Sequence, residues 1–179
     1  MNRALFLDRD GVVNHDPGGY THRKESFIFT DGIFDLCRSF LQAGFLIFVI
    51  TNQAGIAKGY YSENDFHELT EWMVDQFMRN GVHITKVYYC PYHKEAVIAE
   101  YRQDSYDRKP QPGMILRARD EFSLDLSRSV LIGDKINDLK AGKAAGVGLN
   151  IIIGESAQIA DLSFSNVRSA LVARIWECQ

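Results

Sequence analysis

Hydrophobic residues gather in short runs along this chain, and polar residues cut three of the runs off abruptly. Ala4–Leu7, Phe45–Ile50 and Val130–Ile132 are continuous apolar segments, Leu149–Ile153 is apolar but for Asn150, and Ile84–Tyr89 is a more mixed run. Runs this short, rich in Ile, Val and Phe, predict strands covered on both faces, as in a parallel sheet. Between them the apolar positions take up a helical period. Ile33, Leu36, Cys37, Phe40 and Leu41 recur after Asp31, and Gly44 stands where that helix should stop. Ser62 and Asp65 open a second helix, with Phe66, Leu69, Met73 and Phe77 on one face before Gly81. Pro112 suits the first turn of a third, which carries Ile115, Leu116 and Phe122. A fourth runs from Asn137 to Ala145 before Gly146, and Val167, Leu171 and Ile175 face one way on a closing helix.

Strand followed by helix, repeated five times, predicts an α/β fold: a three-layer, doubly wound, mainly parallel five-strand sheet. No linker, repeat or low-complexity segment interrupts it, so residues 1–179 read as a single domain. Two stretches, 11–30 and 90–111, are longer than a connector needs, and such loops in a compact domain are usually functional.

Composition narrows the function classes. Hydrophobic residues make up 46% of the chain, enough to build a core without staples. A net charge of −3 gives no general attraction to nucleic acid or to an anionic membrane, so any anionic ligand must be held by a local site. Cys37, Cys90 and Cys178 are scattered and odd in number, which reads as free thiols in a reducing compartment. No apolar stretch approaches the roughly 20 residues that span a bilayer, and the N-terminal run is too short for a signal-peptide core. A cytoplasmic monomer that binds no nucleic acid and no membrane is the expectation.

Three strands end in polar clusters: Asp8-Arg9-Asp10-Gly11, Thr51-Asn52-Gln53-Ala54-Gly55, and Gly133-Asp134-Lys135-Ile136-Asn137-Asp138. Ligands of open parallel sheets bind beyond the carboxyl ends of the strands, where the winding direction switches, so the three clusters should converge. Asp8, Asp10 and Asp134 in one crevice would repel one another unless a hard divalent cation sat between them. Mg2+ suits such a donor set and leaves positions for a phosphate oxygen. Thr51, Asn52 and Lys109 supply a hydroxyl, an amide and a point charge, all phosphate-holding groups. Of two carboxylates spaced as Asp8 and Asp10 are, one can attack phosphorus and the other can protonate the leaving oxygen and then activate water. A lone Asp-x-Asp-Gly is most often only a turn; the conjunction of four clusters in an alternating fold is what points to chemistry.

These residues resemble the haloacid dehalogenase superfamily of phosphatases over nearly the whole chain. Asp8-Arg9-Asp10-Gly11, Thr51, Lys109, and Gly133-Asp134 with Asp138 match its four motifs. The resemblance implies Asp8 as nucleophile, Asp10 as general acid and base, and Thr51 and Lys109 steadying the phosphoryl group. Mg2+ would be held by the Asp8 carboxylate, the Asp10 main-chain carbonyl and Asp134, with Asp138 behind them. Asp10-Gly11-Val12-Val13-Asn14, Tyr88-Tyr89-Cys90-Pro91 and Arg108-Lys109-Pro110-Gln111-Pro112-Gly113-Met114 narrow the likeness to the heptose-bisphosphate and histidinol-phosphate phosphatase branch. The heptose enzymes are the closer match in Gly19-Tyr20 and Leu69-Thr70-Glu71-Trp72-Met73. The branch implies a sugar-phosphate substrate losing its 7-phosphate, with Asp16, Tyr20, Asn52, Gln53, Arg108 and Lys135 touching it. The chain has no room for a cap domain, so the two long loops would shape the pocket. Histidinol phosphate is the alternative substrate. The non-enzyme alternatives are a sugar-phosphate-binding domain without turnover and a phospho-accepting receiver, and the receiver wants a carboxylate at the end of the third strand, where this chain has Tyr89-Cys90-Pro91.

One departure stands out. Many members of the branch hold structural zinc with Cys-x-His and Cys-x-Cys; here those positions are Cys90, Tyr92, Ser105 and Asp107. A structural zinc site needs four closed ligands, so no zinc is expected, and His93, one residue off the pattern, reads as a loop residue. The loop would instead be ordered by Tyr92, Tyr101 or Tyr106 packing inward, or by an ion pair between Asp107 and a nearby Arg such as Arg102.

Overall fold

The computed structural model describes residues 1–178. Its strands are β1 (Arg3–Leu7), β2 (Phe45–Asn52), β3 (Lys86–Cys90), β4 (Val130–Gly133), β5 (Leu149–Ile153) and β6 (Leu162–Phe164). All pair in parallel, in the order β3-β2-β1-β4-β5-β6. The expected five-strand sheet therefore gains a sixth, edge strand. Three residues long and only partly buried, β6 has no apolar run by which a strand announces itself.

The helices are α1 (Ile33–Gln42), α2 (Ala54–Ala57), α3 (Glu63–Arg79), α4 (Gly113–Phe122), α5 (Ile136–Ala145) and α6 (Val167–Val172). Alternation along the strands splits the core in two. Leu5, Leu7, Ile47, Val49 and Ile132 pack with the apolar faces of α1, α3 and α6. Ala4, Phe6, Phe48, Ile50 and Leu131 pack with those of α4 and α5. The α3 capping box forms as expected: the Asp65 N–H donates to Ser62 Oγ at 3.1 Å and the Ser62 N–H to Asp65 Oδ2 at 2.7 Å. Pro112 sits one residue before α4 rather than inside it, and the closing helix stops at Val172 before a short 3-10 turn. The four-residue α2 lies just past β2.

Chain order reverses at β1, which has β2 on one side and β4 on the other. That juxtaposition brings the polar ends of β1, β2 and β4 to one crevice, where ligands of such sheets bind.

Candidate active site

Asp8 follows the last residue of β1, and its N–H still reaches the Ile132 carbonyl of β4 at 3.0 Å. The chain then turns sharply: the N–H groups of Val13 and Asn14 return to the Arg9 carbonyl at 2.8 and 3.1 Å. Gly11 holds this turn at φ 93°, and a Cβ there would run into the Asp134 carboxylate. Only glycine lets the β1 loop lie against the end of β4.

Lys109 sits at the centre of the charge arrangement and is 4% exposed. Its ammonium donates to Asp8 Oδ1 at 2.7 Å and the Ile50 carbonyl at 2.9 Å, and pairs with Asp138 Oδ1 at 2.6 Å. All three of its donors are thus spent. Asn52 clamps the Lys109 backbone from both sides, its Nδ2 donating to the carbonyl and its Oδ1 accepting the N–H, each at 3.0 Å. Asp138 spends its second oxygen on the Lys135 N–H at 3.0 Å, a cap on α5.

Burial, and next the charge of Asp138, push the Asp8 carboxyl well above the usual carboxylate range, against the pull of Lys109. Burial also raises Asp134, against the attraction of Lys135. Burial works against the Lys109 ammonium, yet Asp138 and Asp8 together hold it above its ordinary value. The cluster therefore carries more buried negative charge than Lys109 offsets.

A metal fits that imbalance. Asp8, Asp134 and Asp138 offer oxygens within 4.8 Å of one another. Asp138 is already committed to Lys109 and Lys135, whereas Asp134 Oδ1 is buried without a hydrogen-bond partner among the described residues. Carboxylate oxygens with unmet charge are the donors that Mg2+ takes.

Asp10 stands apart from the trio. Its carboxylate accepts from Arg9 at 2.8 Å, from Asn14 at 3.1 Å and from Gln53 at 3.3 Å. Arg9 itself is 1% exposed and also donates to the Thr21 carbonyl at 2.7 Å. This framework fixes Asp10 at the mouth, with 23% of its side chain exposed.

Asp8, Asp10, Tyr20, Thr51, Asn52, Arg108, Lys109, Lys135 and Asp138 line one cavity of about 260 Å³. Asp16 lines a neighbouring cavity with Asp134 and Lys135, and pairs with Lys135 at 3.1 Å. Gln53, expected to face a substrate, is buried instead. It donates to Thr51 Oγ1 at 2.8 Å as well as to Asp10, and accepts from the Tyr61 hydroxyl at 2.5 Å. Neither Arg9 nor Tyr61 stands among the site residues expected from the sequence. Arg9 carried a signal, a cation between the two aspartates of the motif; Tyr61 carried none.

Residues 106–174, which include Lys109, Asp134 and Asp138, match the HAD-hydrolase-like family. D-glycero-alpha-D-manno-heptose-1,7-bisphosphate 7-phosphatase of Burkholderia mallei is 49% identical over 170 residues, covering 94% of this chain and 89% of that protein. The chain belongs to the haloacid dehalogenase superfamily and is a phosphatase. D-glycero-beta-D-manno-heptose-1,7-bisphosphate 7-phosphatase of Vibrio cholerae is 46% identical over 150 residues, 84% of this phosphatase and 80% of its own length. Among solved structures, a HAD-like phosphatase from Mesorhizobium loti superposes with a TM-score of 0.88 at 30% identity, over 98% of this chain and 87% of that one. D,D-heptose 1,7-bisphosphate phosphatase from B. bronchiseptica, complexed with magnesium and phosphate, shares the fold with a TM-score of 0.82 at 22% identity, over 98% and 99% of the two chains. In this phosphatase the third strand ends in Cys90, where the receiver alternative would want a carboxylate.

The loop after β3 is held by both kinds of contact expected of it, an Asp107 ion pair and packed tyrosines, though not by every residue named. Asp107 pairs with Arg117 of α4 at 2.5 Å, not with Arg102, which donates to the Ala96 carbonyl at 2.8 Å. Tyr106 is 60% exposed rather than packed inward; Tyr92 and Tyr101 are half-buried, with ring centroids 6.1 Å apart.

Proposed function

We propose that this phosphatase removes the 7-phosphate of D-glycero-D-manno-heptose 1,7-bisphosphate through an aspartyl-phosphate on Asp8, with Mg2+ as cofactor. The observation that carries the chemistry is a buried Asp8 tied to Lys109 on one oxygen, beside an Asp134 oxygen with no hydrogen-bond partner among the described residues. The substrate rests on the near full-length identity to proteins named for it.

Asp8 attacks phosphorus, and the bond from phosphorus to the sugar oxygen breaks. Asp10, held at the mouth by Arg9, Asn14 and Gln53, gives its proton to the departing oxygen. Asp10, now a carboxylate, then takes a proton from water as that water attacks phosphorus, which frees Asp8 and releases phosphate. The side chains of Asp8 and Asp134 and the Asp10 main-chain carbonyl would hold Mg2+, which supplies charge stabilisation to the phosphoryl oxygens when bound. Lys109 favours the ionised form of Asp8 and aims it, and Thr51, oriented by Gln53, presents its hydroxyl to the phosphoryl group. Asn52 keeps Lys109 in place. Tyr20 and Arg108 at the mouth, with Lys135 and Asp16 at its other side, are left to meet the rest of the substrate.

Initial rates of phosphate release should favour heptose 1,7-bisphosphate over histidinol phosphate and simple sugar monophosphates, with both C1 anomers assayed. Preference for histidinol phosphate would contradict the substrate assignment. Excess EDTA should abolish release and added Mg2+ should restore it; full activity in EDTA would remove the metal from the mechanism. The protein should also carry no structural zinc. Tyrosine and serine are poor zinc ligands, and Asp107 is taken up by Arg117. Elemental analysis of protein purified without added metal should find zinc far below one equivalent, and stoichiometric zinc that resists dialysis would overturn this.

A further inference from the structure

We infer that Glu63, outside the catalytic cavity, is a positioning residue: its carboxylate anchors the loop of residues 91–111 so that Arg108 meets the far end of the substrate. The role of Arg108 rests on the proposed function, whereas the anchoring does not.

Glu63 opens α3 and is half-buried. The Tyr89 hydroxyl donates to its Oε1 at 2.7 Å, and the Tyr101 hydroxyl donates to its Oε2 at 3.0 Å. A carboxylate is the side chain that can accept two phenols at once, one on each oxygen. Tyr89 belongs to β3, so one bond ties α3 to the sheet, while the other reaches across to the middle of the loop. Both rings pack on the cluster of Ile56, Tyr61 and Phe66 beside the cavity. Burial, and next Glu63 itself, push the Tyr101 hydroxyl up to about 12, so it remains a donor at neutral pH.

From Tyr101 the restraint passes to Arg108 in short steps. The Tyr101 carbonyl accepts the His93 N–H at 3.1 Å, which joins the two limbs of the loop. The neighbouring Tyr92 carbonyl accepts from Arg108 Nη1 at 3.3 Å. Arg108 lines the mouth of the catalytic cavity, so its place there is set through this chain of contacts. A second anchor holds the loop elsewhere: the N–H groups of Val97 and Ile98 both reach the Ala57 carbonyl, at 3.0 and 3.1 Å. The two anchors can therefore be separated by mutation.

The test uses the full chain with Glu63→Ala, Tyr101→Phe and the double variant. With heptose 1,7-bisphosphate and Mg2+, Glu63→Ala should raise KM about tenfold and leave kcat within about twofold. Turnover of p-nitrophenyl phosphate, which has no far end, should stay within about twofold of wild type. Tyr101→Phe should reproduce the KM effect in part, and the double variant should be no worse than Glu63→Ala, because both changes remove one contact. Trypsin should nick the loop after Lys94 or Arg102 faster in each variant. Unchanged KM with unchanged nicking would overturn the inference. So would a fall in kcat shared by both substrates, which would make Glu63 a support of the catalytic centre as a whole. If wild type released no phosphate from the bisphosphate, the proposed function would fail, and the nicking rates alone would decide the anchoring.

Discussion

Asp8→Asn should leave a folded protein with turnover reduced on the order of 10⁴- to 10⁶-fold, the scale seen when a covalent nucleophile is removed. The amide is nearly isosteric but cannot form an acyl phosphate. Its effect on stability should run the other way. A carboxylate whose folded-state pKa lies above its unfolded value destabilises the fold at neutral pH, and burial places Asp8 in that position. The metal-free variant should therefore melt no lower than the metal-free wild type, even though Lys109 loses one of its two charge partners. Asp10→Asn should be milder, about 10²- to 10⁴-fold in kcat, because it removes proton transfer rather than the attacking atom. Comparable rates for Asp8→Asn and wild type would disprove the nucleophile.

Lys109→Met carries the largest expected stability effect. The methionine fills similar volume but leaves Asp8 and Asp138 facing each other with no cation, in a site where the lysine was 4% exposed. Removing one partner of a buried ion pair typically costs about 3–5 kcal/mol. The loss should show as a lower midpoint in urea, measured without metal, together with loss of activity. Lys109→Met with Asp138→Asn should recover much of the stability, because the second change removes the repelling charge. A single variant as stable as wild type would mean that Lys109 is not what balances the carboxylates.

The parallel sheet was legible because strands covered on both faces must be largely apolar, and three of them end at a residue type that has no place in a core. Asp8, Thr51 and Asp134 could be assigned to one crevice because the topology brings the carboxyl ends of β1, β2 and β4 together, whereas Lys109, in the loop after β3, was placed there only by its chemistry and the motif it matches. Residues whose partners are set by packing were not legible. Gln53 sits beside Thr51 in a polar run and reads as a ligand contact, yet α2 turns it inward onto Tyr61 and Asp10. Arg117 was hidden as the partner of Asp107 because the start of α4 decides which turn of the helix faces the loop. Strand β6 is too short and too exposed for periodicity to detect.

The central claim is that a covalent phosphoryl group resides on Asp8 during turnover. Wild-type protein mixed with heptose 1,7-bisphosphate and Mg2+, quenched within milliseconds and reduced with borohydride, should yield homoserine at position 8 in peptide mass spectrometry. An unmodified Asp8 at every quench time while phosphate is being released, or homoserine at Asp10 or Asp134 instead, would contradict it.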